Sequence, residues 1–157
     1  MDFDLYQLMR QALREAEQGF LEEEVPVGAV LATHEGEIVA KAHNQPIALN
    51  DPGAHAEILV MRKAGMAFHN YRLTHTILVV TIEPCLMCMG AALNARIAQL
   101  VFGAADSKAG AAGSVYNLAA DERLNHQIEV VSGIMEVECR DLMQNFFRAR
   151  RGNAKHG

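Results

Sequence analysis

The chain has 157 residues, half of them hydrophobic and 21% charged, which fits one globular domain with a sizeable core. A formal net charge of −5 excludes a surface built as a whole to attract nucleic acid, so any RNA contact must come from a local basic patch. Three cysteines, an odd number, argue against a disulfide scaffold and for a reducing compartment, and no run approaches the roughly 18 apolar residues of a membrane span.

The acidic start Met1-Asp2-Phe3-Asp4 predicts no signal peptide, so a cytoplasmic protein is expected. Leu5, Leu8, Met9, Ala12, Leu13 and Ala16 recur at helical spacing, which predicts a packing helix over residues 3–19 with Gly19 as its stop. Glu22-Glu23-Glu24 reads as a solvated acidic loop without function. Residues 25–33 and 38–44 read as two strands, joined by the turn His34-Glu35-Gly36-Glu37 into a hairpin. Small Gly28 and Ala29, next to Val27, suit close packing or leave room for a flat ligand. Asn44, at the strand end, reads from the residues alone as a turn residue.

Residues 45–54 hold two of the four prolines and no periodicity, so they form a loop. A helix is predicted over 55–67, a strand buried on both faces over 76–82, a second helix over 85–94 and another buried strand over 97–104. Strand–helix units in that order make a parallel crossover, with function at the strand ends where the helices begin. Residues 105–114, rich in Ala, Gly and Ser around Lys108, read as a flexible loop without the full phosphate-loop pattern. A short helix is predicted over 115–124, a fifth strand over 128–131 and a last helix over 135–151. Met135, Cys139, Leu142, Met143, Phe146 and Phe147 mark the apolar face of that helix. With no repeat and no internal boundary, residues 1–157 are expected as a single domain, with 152–157 as a flexible tail.

Two short segments carry the chemistry. His55-Ala56-Glu57 and Pro84-Cys85-Leu86-Met87-Cys88 each open a helical pattern. Their ligands therefore lie at helix N-termini, where free N–H groups favour thiolate. His55, Cys85 and Cys88 give three protein ligands, which leaves a fourth position on zinc for water, the open arrangement of a catalytic site. Glu57 is placed to shuttle protons beside that water. A CxxC alone is weak evidence, because redox pairs and zinc ribbons also use it. His-x-Glu followed by Pro-Cys-x-x-Cys is the pattern of zinc nucleobase deaminases.

On these residues the sequence resembles the cytidine deaminase superfamily, and within it the bacterial tRNA-specific adenosine deaminases, the TadA family. The resemblance also runs through Val25–Val30, Asp51–Glu57, Tyr71-Arg72-Leu73, Val101–Ala104, Lys108–Ser114, Asn125-His126 and Phe146–Arg151. Gly53 departs from it, since the family more often has Thr there; Gly loosens the turn but removes no ligand. The resemblance implies a three-layer α/β/α fold, with a central five-stranded mixed sheet and helices on both faces. It implies one Zn2+ per subunit and a homodimer. It implies hydrolytic deamination of adenosine to inosine at the wobble position of a tRNA anticodon loop, with the stem-loop as partner. By the same resemblance Asn44 bonds the target base, Val27 walls the pocket, and the backbone at Ala56 and Cys85 faces the metal oxygen. Asp106 and Lys108 then lie along the RNA.

Arg148, Arg150, Arg151 and Lys155 cluster beside Phe146 and Phe147 near the C-terminus. From the residues alone they read equally as cations at a helix end or as an RNA grip, and the resemblance favours the grip for Phe147, Arg148 and Arg151. Three other readings remain open at this point. One is a zinc deaminase of a free purine such as guanine. Another is a structural zinc closed by Cys139 or His126, although a core role for Cys139 and a capping role for His126 fit better. The third is a redox CxxC protein.

Overall fold

A computed structural model describes residues 3–156, and side chains as far as Gly152. The first helix, α1 (Leu5–Leu21), is capped by the Asp4 carboxylate accepting the Tyr6 N–H. It runs past the expected stop. Gly19 sits inside it, buried, where a Cβ would lie 3.4 Å from the His43 ring, so this glycine marks a close approach and not an end.

Strands β1 (Gly28–Thr33) and β2 (Ile38–His43) form the expected hairpin. β1 begins later than expected, at Gly28. The Val27 N–H turns back onto the Val25 carbonyl, and Pro26 has no N–H to give a ladder. At Gly28 a Cβ would stand 1.9 Å from the Ala12 carbonyl oxygen, so only glycine lets α1 approach the sheet there. The segment expected as plain loop contains a short helix, α2 (Pro46–Leu49), with Pro46 at its favoured first position.

Next come α3 (Ala56–Phe68), β3 (Thr76–Ile82), α4 (Leu86–Ala95) and β4 (Gln99–Ala104). Every β3 residue is buried, as its unbroken apolar run requires. β5 (Glu129–Val131) and α5 (Glu136–His156) close the chain. The α5 backbone stays helical through the segment expected as a tail. No helix forms over 115–124. There the backbone folds back on itself, with Val115 and Tyr116 donating to the Gly110 carbonyl and Leu118 to Ala111, and these bonds replace the helical ladder.

The sheet order is β2-β1-β3-β4-β5. β1 is antiparallel to both its neighbours, while β3, β4 and β5 are parallel. α1 and α5 contact each other on one face, and α3 and α4 contact each other on the other. This is the expected α/β/α sandwich with a mixed five-stranded sheet. Its core is the filled space around Val30, Leu31, Leu78, Val79, Leu100 and Val101, all fully buried. Strand directions bring the start of β1, the ends of β2, β3 and β4, and the N-termini of α3 and α4 to one edge of the sheet.

Candidate active site

His55 and Cys85 are the N-cap residues of α3 and α4, both with extended backbone, and Cys88 lies in the first turn of α4. Each helix therefore begins at the strand edge with its positive end toward the ligand atoms. The Sγ atoms of Cys88 and Cys85 stand 3.5 and 3.6 Å from His55 Nδ1. Tetrahedral zinc, with Zn–S of about 2.3 Å and Zn–N of about 2.0 Å, sets S···N edges of about 3.5 Å. The three donors thus already have the spacing zinc requires. Among the described residues they form the one group of His, Cys, Asp or Glu side chains close enough to share a metal.

The donor chemistry agrees. The Cys88 and His55 hydrogen bonds pull the Cys85 thiol down, to about 3. The bond to Cys85 and burial push Cys88 up. His55 is raised, first through its bond to Cys85. The metal-free set shares protons among closely packed atoms, and a divalent cation takes their place. His126 is not a ligand; its Nε2 meets the Ile97 carbonyl at 2.7 Å. Cys139 is buried against Gly103 and is core. These two positions exclude the closed structural site.

Glu57, the second residue of α3, is 4% exposed. Burial pushes its carboxyl up, to about 6, while a backbone hydrogen bond, His55 and the nearby Cys88 thiol oppose that rise. Asn44 is buried beside it, just past β2, held by its N–H on the Val27 carbonyl. Its side-chain Oδ1 accepts the Ala56 N–H at 2.7 Å. This bond corrects the expectation for Ala56, whose N–H is spent on Asn44 and has no proton left for an oxygen at the metal. The Asn44 oxygen keeps a second lone pair, and Nδ2 is the amide's donor toward a ligand. Val27 is 9% exposed, consistent with a wall.

At the ends of β3 and β4, beside Ile82 and Ala104, Asp106, Ser107 and Lys108 line a cavity of about 800 Å3 together with Arg140, Phe147, Arg148 and Arg151. The basic cluster therefore divides. Arg148 and Arg151 face this cavity, whereas Arg150 lies over the ring of buried Phe146, 5.2 Å from its centroid. Phe146 packs edge-on against Phe20 and is core, which leaves Phe147, 41% exposed, as the aromatic surface. The side chain of Lys155 lies outside the described residues.

Sequence reasoning missed two buried carboxylates. Glu24, expected as solvated, is 1% exposed and accepts the Ile47 and Ala48 N–H groups at 3.2 and 2.8 Å. It satisfies the otherwise unpartnered amides that open α2. Glu83, just after β3, collects donors from the 105–115 loop. Burial works against its ionised form, but the Ser114 hydroxyl and the surrounding N–H groups hold it below the usual range. A lone Glu before Pro-Cys was its only sequence signal.

With fold and site in hand, the class is defined: the chain belongs to the family of the cytidine and deoxycytidylate deaminase zinc-binding region, whose pattern matches residues 4–104. More particularly, it is 46% identical to the tRNA-specific adenosine deaminase of Bacillus subtilis, over 94% of this chain and 91% of the relative. It is 44% identical to the enzyme of that name from Haemophilus influenzae, over 94% of this chain and 86% of the relative. A structure solved in a study of A-to-I editing by tRNA:A34 deaminases superposes with a TM-score of 0.83 at 40% identity, covering 87% of this chain and 98% of the other.

Proposed function

We infer that this protein deaminates adenosine to inosine at the wobble position of a tRNA anticodon loop. The observation that carries this reading is a zinc-spaced His-Cys-Cys set with a buried Glu57 beside it, in a chain whose β3 and β4 ends, at Ile82 and Ala104, also line a cavity with Arg148, Arg151 and exposed Phe147. Its extensive identity to tRNA-specific adenosine deaminases supports the substrate.

His55 Nδ1 and the Sγ atoms of Cys85 and Cys88 would hold zinc, which when bound would supply an activated water at neutral pH. The protein's own groups do the rest. Asn44 Nδ2 donates to the purine edge and sets its orientation. Val27 and the surrounding apolar wall exclude bulk water. The Glu57 carboxylate takes a proton from the water and delivers it to the ring nitrogen beside the attacked carbon. It then assists departure of the amine as ammonia, so water and adenosine balance against inosine and ammonia. A single-stranded loop lowers the cost of bringing the base out of its stack. Lys108, Arg148 and Arg151 bind the loop phosphates, Asp106 lies along the same strand, and Phe147 offers a stacking face.

The assembly we propose is a homodimer built on the α3–α4 face, where Ile58, Met61, Met66, Tyr71 and Leu73 line a groove of about 1080 Å3. Tyr71 and Met66 are 77% and 76% exposed in the single chain, a large apolar surface for a protein that acts alone. Three unpaired cysteines suit action in the reducing cytoplasm. No described helix is long and apolar enough to cross a membrane.

The test is deamination by the zinc-loaded protein of an anticodon stem-loop with adenosine at the wobble position, beside free guanine. Inosine in the stem-loop with guanine untouched is expected. Turnover of guanine with an inert stem-loop would keep the zinc chemistry and overturn the substrate.

A further inference from the structure

Glu83 has no part in the chemistry above, yet it is buried to 4% exposure and saturated with donors. Its Oε1 accepts the Asp106 N–H at 3.0 Å and the Ser114 hydroxyl. Its Oε2 accepts the N–H groups of Ala112 and Ser114, each at 3.0 Å. All four donors are neutral and all come from one loop, residues 105–115. The charge is therefore held by backbone dipoles, in the manner of an anion nest, but the anion is a side chain of the same protein. The fit is close. A Cβ on Gly110 would lie 2.3 Å from the Glu83 carboxyl carbon, so the loop winds directly against it.

The attachment continues toward the metal. The Ala111 N–H donates to the Pro84 carbonyl at 2.8 Å, one residue before the ligand Cys85. The Glu83 N–H donates to the Ala104 carbonyl, where β4 ends and the loop begins. On its outer side the same loop presents Asp106, Ser107 and Lys108 to the cavity shared with Phe147, Arg148 and Arg151. One carboxylate thus joins the strand that delivers a zinc ligand to the loop that faces the polyanion.

We propose that Glu83 is a positioning residue that fixes the 105–115 loop at a set distance from Cys85, so that RNA gripped by the loop presents its base to the metal. The proposal rests on the tRNA-loop reading of the site. A carboxylate suits this task because every contact it makes is as an acceptor. The isosteric amide does not. Whichever way a Gln side chain turns, its NH2 faces at least one backbone N–H.

The experiment uses the full zinc-loaded protein with Glu83→Gln and, as a milder change, Ser114→Ala. Zinc content, kcat and KM for the anticodon stem-loop, and amide hydrogen exchange are measured together. Glu83→Gln is expected to keep one zinc and to raise KM about tenfold or more, as loss of a charge-assisted bond would, with kcat changed far less. Exchange at the amides of Asp106, Ala112 and Ser114 is expected to accelerate, while the amides of α4 stay protected. Ser114→Ala is expected to shift KM in the same direction by a smaller factor. Unchanged exchange at those three amides, or a fall in kcat and zinc with KM unmoved, would overturn the proposal. If the unaltered enzyme leaves the stem-loop untouched, the substrate reading has failed instead, and exchange at the three amides still decides whether Glu83 anchors the loop.

Discussion

Asn44 and Glu57 stand side by side in the site but answer to different constraints. Glu57 is buried, and its carboxyl is raised by burial, as suits the proposed role of taking and returning a proton. Replacing it with Ala is expected to retain zinc, since His55, Cys85 and Cys88 are untouched, and to lower kcat by about a thousandfold, within the range for a positioned acid–base group. Zinc analysis beside single-turnover kinetics checks this, and a variant with near-native turnover removes Glu57 from the role. In the proposed reading Asn44 divides its amide between two tasks. Oδ1 is bound to the Ala56 N–H, so Asn44→Asp preserves that acceptor but replaces the Nδ2 donor with a second acceptor and adds a buried charge. The expected result is a KM for the stem-loop raised by more than the loss of folding stability accounts for, read by kinetics and thermal melting together. A melting temperature that falls as far as binding does would make the residue structural. The metal ligands and Glu57 were legible in the sequence because their chemistry depends on residue type at short spacing. The Asn44–Ala56 bond was not, because it joins a strand end to a helix start across the loop at 45–54.

At the scale of elements, the edge where substrate must enter is assembled from helix starts and strand ends, each needing its free N–H groups satisfied. Glu24 does this for α2. Its replacement by Ala leaves the Ile47 and Ala48 amides without their buried acceptor, and a loss of about 2 kcal/mol is expected in denaturant unfolding. A loss below a few tenths would show that water takes over the carboxylate's place. The acidic run hid this residue, since three consecutive glutamates look alike in sequence and only chain direction decides which turns inward. The same limit explains the missing helix at 115–124. Its composition allows helix, but the carbonyls of Gly110 and Ala111 capture the amides first. Gly53, by contrast, is an unforced glycine. A Cβ there would meet only Asp51 Oδ1 at 3.4 Å and Met87 Sδ at 3.8 Å. Gly53→Ala is therefore expected to gain about 0.5 kcal/mol by stiffening the unfolded chain, a rise of about 1–2 °C in Tm. A lower Tm would mean that the loop delivering His55 needs the freedom of glycine.

For the whole molecule, the sheet order decides what the elements become. Reading strands and helices in sequence gave the parallel β3–β4 pair, and the family resemblance gave the layers. It could not say that β1 lies between β2 and β3, because pairing across such distances depends on packing of both sheet faces. That insertion brings Val27 and Asn44 to the metal edge and leaves the α3–α4 face open. If a second copy covers this face, Tyr71→Glu is expected to turn a dimer into a monomer in light scattering, by placing a charge in the apolar groove. A variant that remains dimeric would move the interface elsewhere. The central claim, an RNA-directed adenosine deaminase, is tested most directly by incubating the zinc-loaded protein with total tRNA and mapping inosine by sequencing. The account predicts conversion confined to wobble adenosines in anticodon loops. Unaltered tRNA, with a free purine consumed under the same conditions, would contradict it.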